Sequence, residues 1–85
     1  MTAMTIGEAA KQAGVGVETI RFYERKGLIT QPRRPPGGGF RAYPLETVSR
    51  IRLIRQAQEL GFSLKEAAKL LALRSDGFAG AAVKE

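Results

Sequence analysis

The side chains with the clearest chemical potential in this sequence are arginines in the middle of the chain. Nine basic residues and two acidic ones, Glu24 and Glu46, lie between positions 21 and 55, so this stretch alone carries +7. The whole chain carries +6. A guanidinium group donates hydrogen bonds in a planar fork that matches phosphate and guanine. A segregated positive field indicates a polyanionic partner, either nucleic acid or an anionic membrane surface, with an acidic protein as the third possibility.

The residue types that most other chemistry needs are missing. The chain has no cysteine and no histidine, which removes thiol nucleophiles, thiolate metal sites, disulfides and the commonest general base. The carboxylates and lysines show no nucleophile–base spacing, so we predict no enzyme, no cofactor and no metal site. No apolar run approaches the roughly 20 residues of a membrane span, and a signal peptide is not apparent. We therefore expect a cytoplasmic protein without a membrane partner.

Two short helices joined by a tight turn are predicted in the first third of the chain. Thr5 and Glu8 form a capping-box pattern at the start of the first helix. Ala10, Gly14 and Ile20 then fall at the spacing of a helix-turn-helix, with a small residue at the crossing, a glycine in the turn and a β-branched residue packing inward. The second helix runs over residues 17–25 and carries an arginine and a tyrosine, Arg21 and Tyr23, that we expect to face outward. An ordinary αα-hairpin is the alternative.

The segment from Ile29 to Tyr43 is predicted to be a β-hairpin with a long basic tip. Its residues 31–39 are rich in proline and glycine and cannot be helical. Phe40-Arg41-Ala42-Tyr43 then alternates as a short strand does. Beside a helix-turn-helix such a hairpin is a wing, whose tip arginines lie on the sugar-phosphate backbone or enter a minor groove. The alternative is a flexible linker between two helical halves.

Two further helices complete the predicted fold. The longest helical pattern runs from Leu45 to Leu60 and ends at Gly61, and the last helix begins with a second capping box, Ser63 with Glu66. We predict a mostly α fold with a small β-hairpin, that is, a winged helix-turn-helix of four helices plus a two-stranded wing, over residues 1–73.

Four motifs carry a family resemblance. Residues 5–10 read TIGEAA, residues 17–29 read VETIRFYERKGLI, residues 39–43 read GFRAY and residues 56–64 read QAQELGFSL. In this order and spacing, over about residues 5 to 73, they resemble the DNA-binding domain of the MerR family of transcription regulators. The sequence of residues 20–27 is most similar to that of the mercury-responsive branch.

The resemblance implies a homodimer that binds double-stranded DNA at a palindromic operator, within a promoter whose spacer is too long. Effector binding makes such a dimer bend and untwist the DNA, so RNA polymerase is affected indirectly. The resemblance places Arg21 and Glu18 at base edges, Tyr23 and Arg55 at the backbone, and Arg41 with its neighbour Phe40 at the wing contact. The full set of predicted DNA-binding residues is Glu18, Thr19, Arg21, Tyr23, Arg25, Arg33, Arg34, Phe40, Arg41 and Arg55.

Several of these residues have a structural alternative. Glu18 could equally complement the dipole at the N-terminus of its helix, and Tyr23 could be a core aromatic with its hydroxyl at the surface. For Phe22 we expect the core rather than a contact. Arg50 and Arg52 are expected to be solvated positive surface.

The family's dimer is formed by a long helix after the fourth one. Residues 74–85 are predicted to be a tail or the start of this missing dimerisation helix. The mercury branch carries its metal cysteines on that part, whereas residues 78–80 here read FAG. We therefore expect the chain as given to lack the effector-binding and most of the dimerisation region, and to dimerise weakly or not at all.

Two other functions also fit the sequence. A small excisionase-like architectural DNA-binding protein also uses a winged helix-turn-helix without a ligand domain. A third hypothesis is an adaptor that binds protein through an exposed helix from Leu64 to Leu71.

Overall fold

The computed structural model describes residues 4–73, which form four helices, as predicted. These are α1 (Ile6–Ala13), α2 (Val17–Arg25), α3 (Leu45–Glu59) and α4 (residues 64–73). The predicted tail, residues 74–85, lies outside the described residues. The chain divides into two compact units, Met1–Arg52 and Leu53–Glu85, and α3 contributes residues to both.

Helix α1 begins and ends as its sequence predicts. The Glu8 amide donates to the Thr5 hydroxyl at 3.1 Å, and the Thr5 amide donates to the Glu8 carboxylate at 2.9 Å. Gly14 ends the helix in the left-handed region, with φ at 74°, which a residue with a Cβ adopts only at a cost. The Val15 amide then donates to the Ala10 carbonyl at 2.9 Å. This closed turn leads directly into α2, so the predicted helix-turn-helix is formed.

Helix α2 turns one face inward and the opposite face to solvent. Ile20 is fully buried and Tyr23 is only 5% exposed. The turn that follows the helix is made by Gly27, whose φ is 76°, and the Leu28 amide donates back to the Tyr23 carbonyl at 2.9 Å. The remaining buried residues of the first unit are mostly small or β-branched, namely Ala9, Ala10, Ala13, Leu28, Ile29, Tyr43, Thr47, Val48 and Ile51.

The second unit is organised by the turn between α3 and α4. The predicted capping box is present, since the Glu66 amide donates to the Ser63 hydroxyl at 3.1 Å and the Ser63 amide donates to the Glu66 carboxylate at 2.8 Å. Ala67 and Leu71 of α4 are buried. Because these residues belong to the apolar face that an adaptor would have to expose, the adaptor hypothesis is disfavoured.

The predicted two-stranded wing is not confirmed. Residues 29–43 contain no strand, and the end of this segment pairs elsewhere, in an isolated antiparallel bridge between Tyr43 and Met4. The sequence of the tip explains the difference. Pro32, Pro35 and Pro36 have no amide hydrogen for a β-ladder, and the three glycines at 37–39 all have positive φ, between 85° and 102°. We refer to residues 30–42 as the basic loop.

Side-chain and turn hydrogen bonds replace the ladder in the basic loop. The Arg41 Nε donates to the Pro32 carbonyl at 2.8 Å and so links the two arms. At the tip, the Gly38 amide donates to the Pro35 carbonyl at 3.0 Å. Proline at the second position and a positive-φ glycine at the third are typical of a type II turn. The loop therefore has a defined course without being a β-hairpin.

Candidate nucleic-acid interface

The outward face of α2 carries the residues that the sequence predicts to read DNA. Glu18, Arg21 and Arg25 are exposed, and Thr19 is half-buried. This orientation follows from the inward packing of Ile20, because neighbouring residues on a helix point about 100° apart. The helix-turn-helix thus presents Arg21 to solvent rather than to its own core.

The basic loop brings further arginines to the same surface. Arg21 and Arg25 of α2 line a surface depression together with Arg34 and Arg41 of the loop. We call this depression the arginine concavity. Glu24 and Gln31 are its other lining residues, so four guanidinium groups face one carboxylate and the local charge is +3. An adjoining depression shares Arg21, Gln31, Arg34 and Arg41 and adds Ile6, Gly39, Phe40 and Tyr43.

Three of the predicted DNA-binding arginines differ from Arg41, which donates to the Pro32 carbonyl, in having no internal partner among the described residues. Within residues 4–73, Arg21, Arg33 and Arg34 form no hydrogen bond or ion pair. Arg50, by contrast, pairs with Glu46 at 3.4 Å. A guanidinium without an internal partner gives up only water when it binds a phosphate, so these cations are available to an anionic ligand.

Arg52 and Arg55 are engaged within their own units. Arg52 is exposed, as expected, but also donates to the Gln12 carbonyl at 2.8 Å, near the end of α1. Arg55, on the part of α3 that belongs to the second unit, is exposed and lies 3.9 Å from Glu59. Such a solvent-exposed pair is weak, so Arg55 keeps the charge needed for its predicted role.

Two aromatic side chains are placed differently from each other. Phe40 is 81% exposed at the edge of the concavity, as a contact residue requires. Tyr23 is almost completely buried, so the expectation that it faces outward is wrong, and its ring belongs to the core, which is the structural alternative given above. Only the small exposed part of Tyr23 can reach a phosphate.

Phe22 is a residue for which the sequence-based expectation is wrong. It is 37% exposed rather than buried. The Arg25 guanidinium carbon lies 5.9 Å from the centre of its ring and the Lys26 ammonium 5.6 Å, distances at which cation–π attraction operates. The sequence contains the spacing that predicts this contact, because Arg25 and Lys26 follow Phe22 by three and four residues and such residues are neighbours on a helix. The ring thus orients two cations, of which Arg25 lines the arginine concavity.

A hydrogen-bonded group that the sequence did not indicate joins α2 to the basic loop. The Tyr43 hydroxyl donates to Glu24 Oε2 at 2.7 Å, and the side-chain Nε2 of Gln31 donates to Glu24 Oε1 at 3.3 Å. Burial raises the pKa of Tyr43 from 10.0 to about 12, with the hydrogen bond and the charge of Glu24 acting in the same direction and Arg41 and Arg21 opposing it. The hydroxyl therefore remains a proton donor at physiological pH.

The described part of the chain has no metal-binding cluster and no membrane-spanning helix. Within residues 4–73, no three of His, Cys, Asp or Glu are grouped so that they could hold a metal ion. In the same residues, no helix combines the length and apolar character that a membrane crossing requires.

The turn geometry and the arginine concavity define a helix-turn-helix protein with a strongly basic surface. Comparison with known families places it more narrowly: residues 4–74 match the family described as "MerR HTH family regulatory protein". The chain belongs to this family.

Individual relatives support the assignment. A mercuric resistance operon regulatory protein of Pseudomonas fluorescens is 56% identical over 70 residues, which cover 82% of this chain and 48% of the relative. This chain therefore spans about half the length of the curated relatives it matches.

Two solved structures are similar in fold. The lead(II) complex of the transcription regulator PbrR691 from Ralstonia metallidurans CH34 matches with a TM-score of 0.73 and 36% identity, over 95% of this chain and 66% of that one. HiNmlR, a MerR family regulator lacking the sensor domain and bound to promoter DNA, matches with a TM-score of 0.68 and 25% identity, over 85% of this chain and 56% of that one.

Proposed function

We propose that this chain is the DNA-binding part of a MerR-like transcription regulator and binds double-stranded DNA sequence-specifically through α2 and the basic loop. The observation that carries the proposal is the arginine concavity. A helix that enters the major groove and a basic segment that follows the flanking backbone are the two parts such recognition needs. Here Arg21 of the helix and Arg34 and Arg41 of the loop lie on one surface.

The side chains divide into base-reading and backbone-holding roles. Arg21, exposed on α2 and without an internal partner, is assigned to a guanine, to which it can donate two hydrogen bonds. Glu18, also exposed, accepts from a cytosine amino group, and Thr19 lies between them. The remaining predicted residues are assigned to phosphates and sugars or to the groove wall: Tyr23, Arg25, Arg33, Arg34, Phe40, Arg41 and Arg55.

The complete regulator is proposed to act as a homodimer on an inverted-repeat operator in a promoter and to affect RNA polymerase through the shape of the DNA. The name of the mercuric resistance relative and the promoter-DNA complex of HiNmlR support a promoter as the target, whereas the homodimer, the inverted repeat and the effect on RNA polymerase are what the family resemblance implies. Metal or effector sensing is assigned to sequence outside residues 4–73. A regulator of this kind works in the cytoplasm, where bacterial DNA lies.

The proposal is tested by selecting duplexes from a randomised pool with the wild-type chain and measuring affinity for the enriched duplex and a scrambled duplex of the same composition. We expect the enriched duplex to bind more tightly. Arg21→Ala should lose roughly 1–3 kcal/mol of binding free energy on the enriched duplex. On the scrambled duplex it should lose little more than the binding free energy contributed by one positive charge. Arg50→Ala, which removes the same charge outside the concavity, is the matched control.

Two results would count against the proposal. One is the failure of any sequence to be enriched at low salt. The other is an Arg21→Ala variant that still prefers the enriched duplex as strongly as the wild type does. Footprinting adds a third readout, because a single palindrome supports a MerR-like regulator, whereas tandem same-strand sites support the excisionase-like alternative.

A further inference from the structure

The carboxylate of Glu24 holds both ends of the basic loop. Its two oxygens accept from Gln31, where the loop begins, and from Tyr43, just beyond its end, at 3.3 and 2.7 Å. We call these three side chains the Glu24 clasp. We propose that Glu24 is a positioning residue: it fixes the basic loop against α2 and thereby sets sequence specificity, without contacting DNA itself. The inference rests on the proposed DNA-binding function.

The position of Glu24 on α2 is what gives the clasp its effect. Glu24 lies three residues after Arg21, so the two side chains are neighbours on one side of the helix. The clasp therefore ties the loop to the same helical turn that carries the base-reading arginine. Arg34 and Arg41 lie between the two clasped ends, so the clasp restricts how far they can move from Arg21.

Tyr43 is the more tightly held of the two residues that donate to Glu24. Its side chain is 1% exposed, and its backbone exchanges two hydrogen bonds with Met4, at 2.7 and 2.9 Å. The residue is thus held by the N-terminal segment through its backbone and by α2 through its hydroxyl. The Arg41 Nε bond to the Pro32 carbonyl closes the loop just before this anchor. Movement of the loop arginines relative to α2 therefore requires the clasp to open.

Electrostatics separates the role of Glu24 from that of a DNA contact. Glu24 is the only acidic residue among those that line the arginine concavity, and within the described residues it forms no ion pair with the four arginines. A carboxylate facing a polyanion weakens binding to every sequence. Any favourable contribution of Glu24 must therefore come from the geometry that it imposes.

The size of the effect follows from the population of chains in which the loop is in place. A hydrogen bond to a charged acceptor changes an equilibrium constant by about tenfold or more. Apparent affinity falls in proportion to the fraction of molecules in the competent arrangement. Opening the clasp should therefore lower the affinity on the order of tenfold for a duplex that is bound by both α2 and the loop. Binding that depends on charge alone should be little affected by displacement of the loop.

The experiment uses the full chain and two duplexes, one enriched from a randomised pool by the wild type and one scrambled. Tyr43→Phe removes only the donor hydroxyl, and Glu24→Leu removes the acceptor. Both should lower the preference for the enriched duplex about tenfold. Glu24→Gln keeps a carbonyl acceptor and loses the charge, so it should keep most of the preference and bind both duplexes more tightly. Glu46→Gln is the matched control for the charge change.

A second readout does not depend on DNA. Hydrogen exchange of the Tyr43 amide, which donates to the Met4 carbonyl, should speed up by about tenfold in Tyr43→Phe and Glu24→Leu and stay near the wild-type rate in Glu24→Gln. This readout separates the two ideas, because it tests the clasp even if the wild type prefers no sequence and the proposed function fails. If Tyr43→Phe does not fold, the two Glu24 variants decide.

The inference is overturned if Tyr43→Phe and Glu24→Leu keep the wild-type preference and exchange rate. It is also overturned if Glu24→Gln loses the preference as completely as Glu24→Leu, since the charge and not the hydrogen bond would then be responsible. A loss of preference that only follows a fall in thermal stability, with the Tyr43 amide unchanged, would show a general structural role instead.

Discussion

Arg34→Ala gives the sharpest test of how the basic loop contributes to binding. Arg34 is exposed and has no hydrogen bond or ion pair within the described residues. Its removal should therefore leave the free energy of unfolding within about 0.5 kcal/mol of the wild type. Any change in DNA binding then reports the lost contact and not a change in folding.

The magnitude follows from counterion release. One phosphate contact contributes about 0.9 to the slope of log affinity against log salt, which corresponds to about eightfold in affinity at roughly 0.1 M salt. Arg34→Ala should lower this slope by that amount and weaken binding to the enriched and scrambled duplexes by the same factor, because a phosphate contact carries no sequence information.

The assay is a fluorescence anisotropy titration at several salt concentrations, with Arg50→Ala as the control for the charge change. Arg50 already pairs with Glu46, so its variant should keep the wild-type slope. The reasoning is refuted if Arg34→Ala also keeps that slope, or if it weakens binding only to the enriched duplex.

Three further predictions can be tested without knowing the operator sequence. Gly27→Ala should lower the free energy of unfolding by about 1–2 kcal/mol in chemical denaturation, because its φ is 76° and a Cβ is strained there; an unchanged value would contradict this. Phe22→Leu should weaken binding to all duplexes, while Phe22→Tyr should not, because it keeps the ring under Arg25 and Lys26; equal affinities for the two variants would contradict it. The pKa of Tyr43 is raised from 10.0 to about 12, so the protonated hydroxyl should contribute about 2–3 kcal/mol to the free energy of unfolding. This contribution should be complete below pH 10 and lost as the pH rises through 12. Tyr43→Phe should lack this loss in alkaline unfolding curves, and a matching loss in both proteins would contradict the assignment.

The parts of the fold that sequence predicted well are those determined by residues close together in the chain. Both capping boxes join residues three positions apart, so Thr5 with Glu8 and Ser63 with Glu66 could be identified by type and spacing. The turn at Gly14 is equally local, because it depends on the conformational freedom of one residue. These local signals were sufficient to predict the four helices and the outward orientation of Arg21.

The basic loop could not be predicted in the same way. Alternation of aromatic and small residues near its end indicated a strand, but a strand also needs a partner with free amides. The prolines at 32, 35 and 36 remove those amides, and Tyr43 pairs instead with Met4, far away in the sequence. The presence of a basic loop beside α2 was predicted, whereas its backbone course depends on this long-range competition for hydrogen bonds.

The candidate site shows the same division. The arginines were identified from their type and charge, which need no knowledge of contacts. Glu24 was not, because its role depends on Tyr43, which lies 19 residues away. Phe22 was assigned to the core because it is aromatic, but helix geometry leaves it on the edge of the exposed face, where Arg25 and Lys26 cover it.

The central claim is that Arg21 reads a base while the basic loop holds the backbone, and methylation interference at guanine N7 tests it most directly. The wild-type chain is bound to a partly methylated enriched duplex, and the same is done with Arg21→Ala. We predict that methylation of a guanine within the site blocks wild-type binding and has no effect on Arg21→Ala, because the contact proposed for Arg21 is to guanine N7. The account is contradicted if the same guanine still interferes with binding of Arg21→Ala, or if no guanine interferes with binding of the wild type.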